Sequence, residues 1–249
     1  YATGGITQEQ FYSIMDRLER LYSADIAAKG DTLKINRLWG NGTVNASAEK
    51  EGKVRVLNMY GGLARHQAIG VEGMALVACH EMGHHLGGAP KVPSWWGRTS
   101  WATDEGGADY YGTAKCLRRF FAEDDNIAIV KDLTIDPTAK AACESVWQDP
   151  KDLAICLRSS EAGQQVADLF QDLGAEPVRS QYNTPDPTHI GKTYDGHPTT
   201  QCRLDTFFGG MLCSVKESEP NSDTDYKVGT CFTPRDTVGF RPRCWFNGK

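Results

Sequence analysis

Apolar residues recur every three or four positions from Phe11 through Met15, Leu18, Leu21 and Tyr22 to Ile26, behind a Thr7-Gln-Glu-Gln10 segment with the form of a capping box. Side chains at that spacing share one face, so the pattern predicts an amphipathic helix ending near Lys29-Gly30. The period then changes. Residues 33–38 and 53–59 alternate apolar with polar, and 45–48 read as a third strand after the Gly-Asn-Gly turn at 40–42. This predicts a small antiparallel sheet. From about Ala68 to Leu86 the pattern is helical again and stops at Gly87-Gly88, before a Pro- and Trp-rich loop that runs to Trp101. Further helices are expected from Thr103 or Asp104 to about Phe121, over 125–132, 137–147 and 150–173, and within 197–215. Residues 175–196 read as loop and 216–249 as irregular. No internal repeat or linker divides the chain. The expectation is a single α+β domain over 1–249, mainly helical, with a core over about 7–210 and a cysteine-tied region over about 211–249.

Composition narrows the function classes. In 249 residues, 27 Lys and Arg stand against 32 Asp and Glu, a net charge of −5, with no basic block longer than a pair. Nucleic acid and anionic membrane surfaces are therefore not expected partners. The apolar run Gly73-Met-Ala-Leu-Val-Ala-Cys79 is far short of the roughly 20 residues of a membrane span. The Tyr1-Ala-Thr-Gly-Gly start lacks an initiator Met, which suggests a processed chain whose export signal has been removed. The eight cysteines show no metal-knuckle spacing, and half of them crowd the turn-rich end. They read as disulfides of a secreted or periplasmic protein, with Cys79, inside an apolar helix, the expected free thiol. Eight cysteines allow 105 pairings, so connectivity stays open.

Candidate chemistry sits in the helix over 68–86, which contains His80-Glu81-Met82-Gly83-His84. Positions i and i+4 share a helical face, so both imidazoles can reach one ion while Glu81 faces its open side. A hydrolytic zinc needs a third ligand and an open fourth position. Twenty residues on, Glu105-Gly-Gly-Ala-Asp109 puts one carboxylate at a helix start and another one turn later. Glu105 is the expected third ligand. Asp109 is placed to accept the outer ring N–H of His80. The two glycines between them are expected to let the helices approach closely.

HExxH followed by ExxAD resembles the gluzincin metallopeptidases, and His197-Pro-Thr-Thr-Gln-Cys-Arg203 is similar to the HPxxxxR motif of the M48 family. Asn45-Ala-Ser-Ala48 and the strand ending in Gly-Gly-Leu63 resemble that family's substrate strand and the strand before its metal helix. The resemblance spans about 7–121 and 194–210. It implies a zincin-type fold in which His80, His84 and Glu105 hold one Zn2+ and Glu81 is the general base and acid. It further implies that Asn45, Ala46 and Ser47 lie on a sheet edge that pairs with an extended polypeptide substrate. His197 and Arg203 become candidates for stabilising the oxyanion. Each also has a structural reading, His197 as part of a helix-start turn and Arg203 as an ion-pair anchor beneath the site. Trp95, Trp96 and Trp101 are candidate cleft walls. The expected function is a zinc endopeptidase acting on unfolded or flexible polypeptides. The alternative is a catalytically silent zinc-containing chaperone or scaffold, against which the intact Glu81 argues.

Overall fold

The computed structural model describes residues 4–94, 99–174, 176–232 and 238–248. Helix α1 (Gln8–Ala28) starts from the capping box that the sequence predicts: Thr7 Oγ1 accepts the Gln10 N–H at 3.1 Å and Gln10 Oε1 accepts the Thr7 N–H at 2.9 Å. Its buried stripe is Phe11, Ile14, Met15, Leu18, Tyr22 and Ile26. That face packs on strand β1 (Thr32–Leu38), the first of a three-stranded sheet completed by β2 (Ala46–Glu51) and β3 (Val54–Tyr60).

The sheet order is β1-β3-β2, with β3 parallel to β1 and antiparallel to β2. The sheet is therefore mixed, which corrects the antiparallel expectation. Alternation along a strand reports its faces and carries no direction. Two reversals return β3 to the heading of β1, and it inserts between the earlier strands. As the central strand, β3 buries five of its seven side chains, including Arg55 and Asn58, which explains why its alternation is imperfect. The outer positions fall to β1 and β2.

A short helix α2 (Gly61–Ala64) leads to α3 (Val71–Leu86), which is buried on nearly every side. Such a helix belongs at the centre of a core. The hairpin of β4 (Lys91–Pro93) and β5 (Thr99–Thr103) follows. Helix α4 (Glu105–Tyr111) then passes through one π-helical turn, Gly112–Cys116, into α5 (Leu117–Phe121). Helices α6 (Asn126–Ile129), with a 3-10 turn behind it, α7 (Pro137–Val146), α8 (Pro150–Gly174) and α9 (Thr200–Met211) complete the order. The principal core lies where α1, the sheet, α5, α8 and α9 close around α3. The architecture is α+β. No described helix is long and apolar enough to cross a membrane.

All eight cysteines are paired, as Cys79–Cys116, Cys143–Cys156, Cys202–Cys244 and Cys213–Cys231. Cys79 is thus not a free thiol. Its place on α3 faces the π-helical turn, and the bond ties the two together. Four disulfides fit an oxidising compartment. Denatured but unreduced protein should show no alkylatable thiol. Replacing Cys79 and Cys116 together by Ala opens a link 37 residues apart in sequence and should cost about 4 kcal/mol in chemical denaturation, by loop entropy. Reactive thiol before reduction would contradict the pairing.

Candidate metal centre

Two elements bring the predicted ligands together. His80 and His84 lie one turn apart on α3, and Glu105 is the first residue of α4, whose start is fixed by Asp104 Oδ1 accepting the Gly107 N–H at 2.8 Å. The helices touch at Gly83: a Cβ there would lie 2.7 Å from Ala108 O and 2.8 Å from Ala108 Cα. This corrects the role expected of the glycines after Glu105. Gly106 makes room for the Trp245 ring and Gly107 for Thr103 and the Asp104 cap.

At the junction His80 Nε2 is 3.2 Å from Glu105 Oε2 and His84 Nε2 is 3.7 Å from Glu105 Oε1. One donor atom from each residue lies within 4.8 Å of the others. Two atoms bound to a tetrahedral zinc at about 2.0–2.1 Å stand roughly 3.3 Å apart, so the spacing fits that ion. The orientation of the rings fits as well. Asp109 Oδ1 stands 2.7 Å from His80 Nδ1, and His84 Nδ1 donates to the Thr103 carbonyl at 2.8 Å. With His80 Nδ1 beside Asp109 and His84 Nδ1 bonded to Thr103, the inner Nε2 atoms of both rings face Glu105. Its Oε2 is buried and accepts no hydrogen bond, so a proton or a cation belongs between these atoms. Two imidazoles and a carboxylate form a recurring zinc set.

The electrostatics state the same demand. Burial opposes a charge on His80, yet the carboxylates of Asp109, Glu105 and Glu81 outweigh it and push the imidazole up to about 10. Burial also resists the Glu105 carboxylate, but the adjacent His80, then His84 and Arg203, hold it well below the usual range. Burial pulls His84 down to about 4, helped by the neighbouring charge of His80. The Glu81 carboxyl goes the other way: burial, then Glu105 and Asp109, raise it to about 7 against the pull of His80 and Arg203.

Behind the ligands, Arg203 on α9 makes a two-pronged contact with Asp109, Nε to Oδ2 and a terminal nitrogen to Oδ1, both at 2.8 Å. Its guanidinium lies over the Phe170 ring at 4.2 Å, and a terminal nitrogen is 3.9 Å from Glu105 Oε2. Both sides of this pair are buried, with the Asp109 side chain 0% exposed. Arg203 therefore sits where the anchor reading puts it. His197, in the loop before α9, differs: its side chain is 73% exposed and Nε2 lies 3.3 Å from Glu105 Oε1.

His80, His84, Glu105 and Glu81 line a cavity of about 630 Å³ that Asn45, Ala46 and Ser47 also border. Its apolar wall comes from Leu76 on α3, Val166, Leu169 and Phe170 on α8, and Phe207 on α9. Trp101 lines the cavity too, whereas Trp95 and Trp96 lie outside the described residues. A second cavity, of about 890 Å³, shares His197 and Pro198 with the first and is walled by Tyr194, Tyr226 and Phe246. His85, one residue past His84, faces away: its Nε2 is 3.2 Å from the Val56 carbonyl and its ring stacks on Trp101 at 4.8 Å.

No protein-family model, curated protein or solved structure matches the chain.

Two contributors escape sequence reasoning. The Thr103 carbonyl orients His84, but a backbone acceptor is common to every residue and leaves no sequence signal. Phe170 backs Arg203 from α8, and nothing in its apolar pattern separates it from the core residues beside it.

Proposed function

We propose that the protein is a zinc endopeptidase of the M48 gluzincin type, with a zincin-type arrangement of α3, α4 and the sheet, acting on extended polypeptide segments in a secreted or periplasmic setting. The observation that carries this reading is the convergence of His80, His84 and Glu105 on one point in a cavity wall that Glu81 shares. Bound there, zinc supplies Lewis acidity to a peptide carbonyl and acidifies a nearby water.

The protein's own residues supply the rest. Glu81 accepts a proton from the attacking water as its oxygen bonds to the carbonyl carbon, then delivers that proton to the amine nitrogen as the C–N bond breaks. Exposed His197 donates a hydrogen bond to the oxyanion. Arg203, held by Asp109, positions His80 through that carboxylate and does not touch substrate. At the sheet edge, β2 offers its free side to an extended chain, and backbone pairing of this kind reads little sequence. The second cavity, which shares His197 and Pro198 with the first, gives a chain room beyond the metal, which favours cleavage within a polypeptide over trimming of its ends.

Purified protein should carry one zinc per chain and hydrolyse an unfolded substrate such as casein. Dialysis against a chelator should remove the metal, abolish hydrolysis and lower the melting temperature. Restored zinc at a thousand times its Kd should return about 4 kcal/mol of stability. Full activity in metal-free protein would reject the proposal.

A further inference from the structure

The two histidine ligands are held in different ways. Among the described residues, His80 is backed by a buried side chain, Asp109, whereas His84 Nδ1 is backed by the carbonyl of Thr103 at the end of β5. What fixes Thr103 therefore fixes His84. Thr103 Oγ1 donates to the Gly88 carbonyl at 2.7 Å, and the next residue, Asp104, donates its N–H to the Pro90 carbonyl at 3.1 Å. Residues 87–91 act as the template for this end of the hairpin.

That template is gripped from its other side by the cysteine-tied tail. Asn221 Nδ2 donates to the Gly87 carbonyl, just past the end of the metal-bearing helix, at 2.8 Å. The Ala89 N–H donates to the Ser222 carbonyl at 2.8 Å, and Asp223 Oδ1 meets the ammonium of Lys91 at 2.6 Å. The other oxygen of Asp223 takes Lys29, the residue that follows α1, at 2.9 Å. Gly88 lies at φ +77°, and a Cβ there would stand 2.6 Å from Ser222 O, so the two backbones are in contact. All three gripping residues fall inside the loop closed by Cys213–Cys231.

We infer that the disulfide-closed segment between Cys213 and Cys231 is a clamp on the metal centre, with Asn221 and Asp223 as positioning residues that act through 87–91 and Thr103 on His84. The inference rests on the zinc reading of the site. A hydrogen-bond partner behind a liganding imidazole typically changes metal affinity 10- to 100-fold when lost, and these residues stand two steps further back. The tail is then part of the working centre.

The test compares wild type, Asn221→Ala, Asp223→Ala and Asp223→Glu. Zinc dissociation constants are measured by chelator competition and visible absorption by cobalt substitution. The two Ala variants should bind zinc about tenfold more weakly with an altered cobalt spectrum, and Asp223→Glu should recover most of the loss. Zinc constants and spectra equal to wild type in folded Ala variants would overturn the clamp while leaving the zinc site standing. Linkage gives a check that needs no variant: zinc added to the metal-free wild type should slow hydrogen exchange across 216–231, because coupling between two sites is reciprocal. Unchanged exchange there overturns the clamp. Wild-type protein that takes up no zinc sinks the site itself.

Discussion

Glu81→Gln is expected to lower casein hydrolysis on the order of 10³-fold while zinc content stays at one per chain. Gln keeps the shape of the side chain and loses its ability to take a proton, and a positioned base contributes about 10²- to 10⁴-fold. Zinc should remain, because Glu81 is not among the atoms that converge on the ligand point. Stability should hold or rise, since burial already penalises the Glu81 carboxylate and an amide removes that penalty. Kinetics should show the loss in kcat with little change in KM. A variant as active as wild type would reject the mechanism. Loss of zinc together with activity would show Glu81 to be a ligand and not a base. The silent-scaffold alternative predicts no hydrolysis by either protein.

Some of the fold was legible because its signals are local. The capping box at Thr7 and the stripe from Phe11 to Ile26 specify α1 without reference to anything else in the chain. The glycines after Leu86 likewise mark the end of α3. What the sequence did not carry is relational. Alternation in residues 53–59 identified a strand but not that it would enter between its predecessors and run parallel to β1. Cys79 in an apolar helix looks the same whether it is a small hydrophobe or half of a disulfide. Only the folded chain puts Cys116 opposite it, at a Cα separation of 5.5 Å.

The candidate site divides along the same line. His80, Glu81 and His84 were legible because a helix turns a spacing of four into a shared face. Glu105 and Asp109 were legible as a pair of carboxylates one turn apart. Their distances to the imidazoles depend on how α3 and α4 cross, and that is set by Gly83 lying against Ala108 and not by the Gly106-Gly107 pair. The partner of Arg203 is 94 residues away, and no local pattern shows which carboxylate it will find. The link from Asn221 to His84 was less visible still, since every step but its first runs through backbone atoms or a single hydroxyl.

The Asp109–Arg203 pair is expected to give the largest stability effect of any single substitution at the site. Asp109→Ala removes both the acceptor behind His80 and the counter-charge of a buried guanidinium. An unpaired charge in that position costs about 3–5 kcal/mol, and zinc affinity should fall 10- to 100-fold because the imidazole loses its orientation. Arg203→Lys separates the two readings of the arginine. Lys keeps the charge but cannot reproduce the planar fork that meets both oxygens of Asp109. If Arg203 acts by positioning, Arg203→Lys should lose zinc affinity and activity together, and activity should return at saturating zinc. If it stabilises the oxyanion directly, zinc affinity should stay at the wild-type value while kcat falls at every zinc concentration. Its two 2.8 Å contacts to Asp109 and its place over Phe170 engage the guanidinium with the support behind His80, so the first outcome is the one expected. A double-mutant cycle over Asp109→Ala and Arg203→Met should then show strong coupling, with the double variant more stable than Asp109→Ala alone, because deleting the orphaned guanidinium removes the charge that the first change left buried.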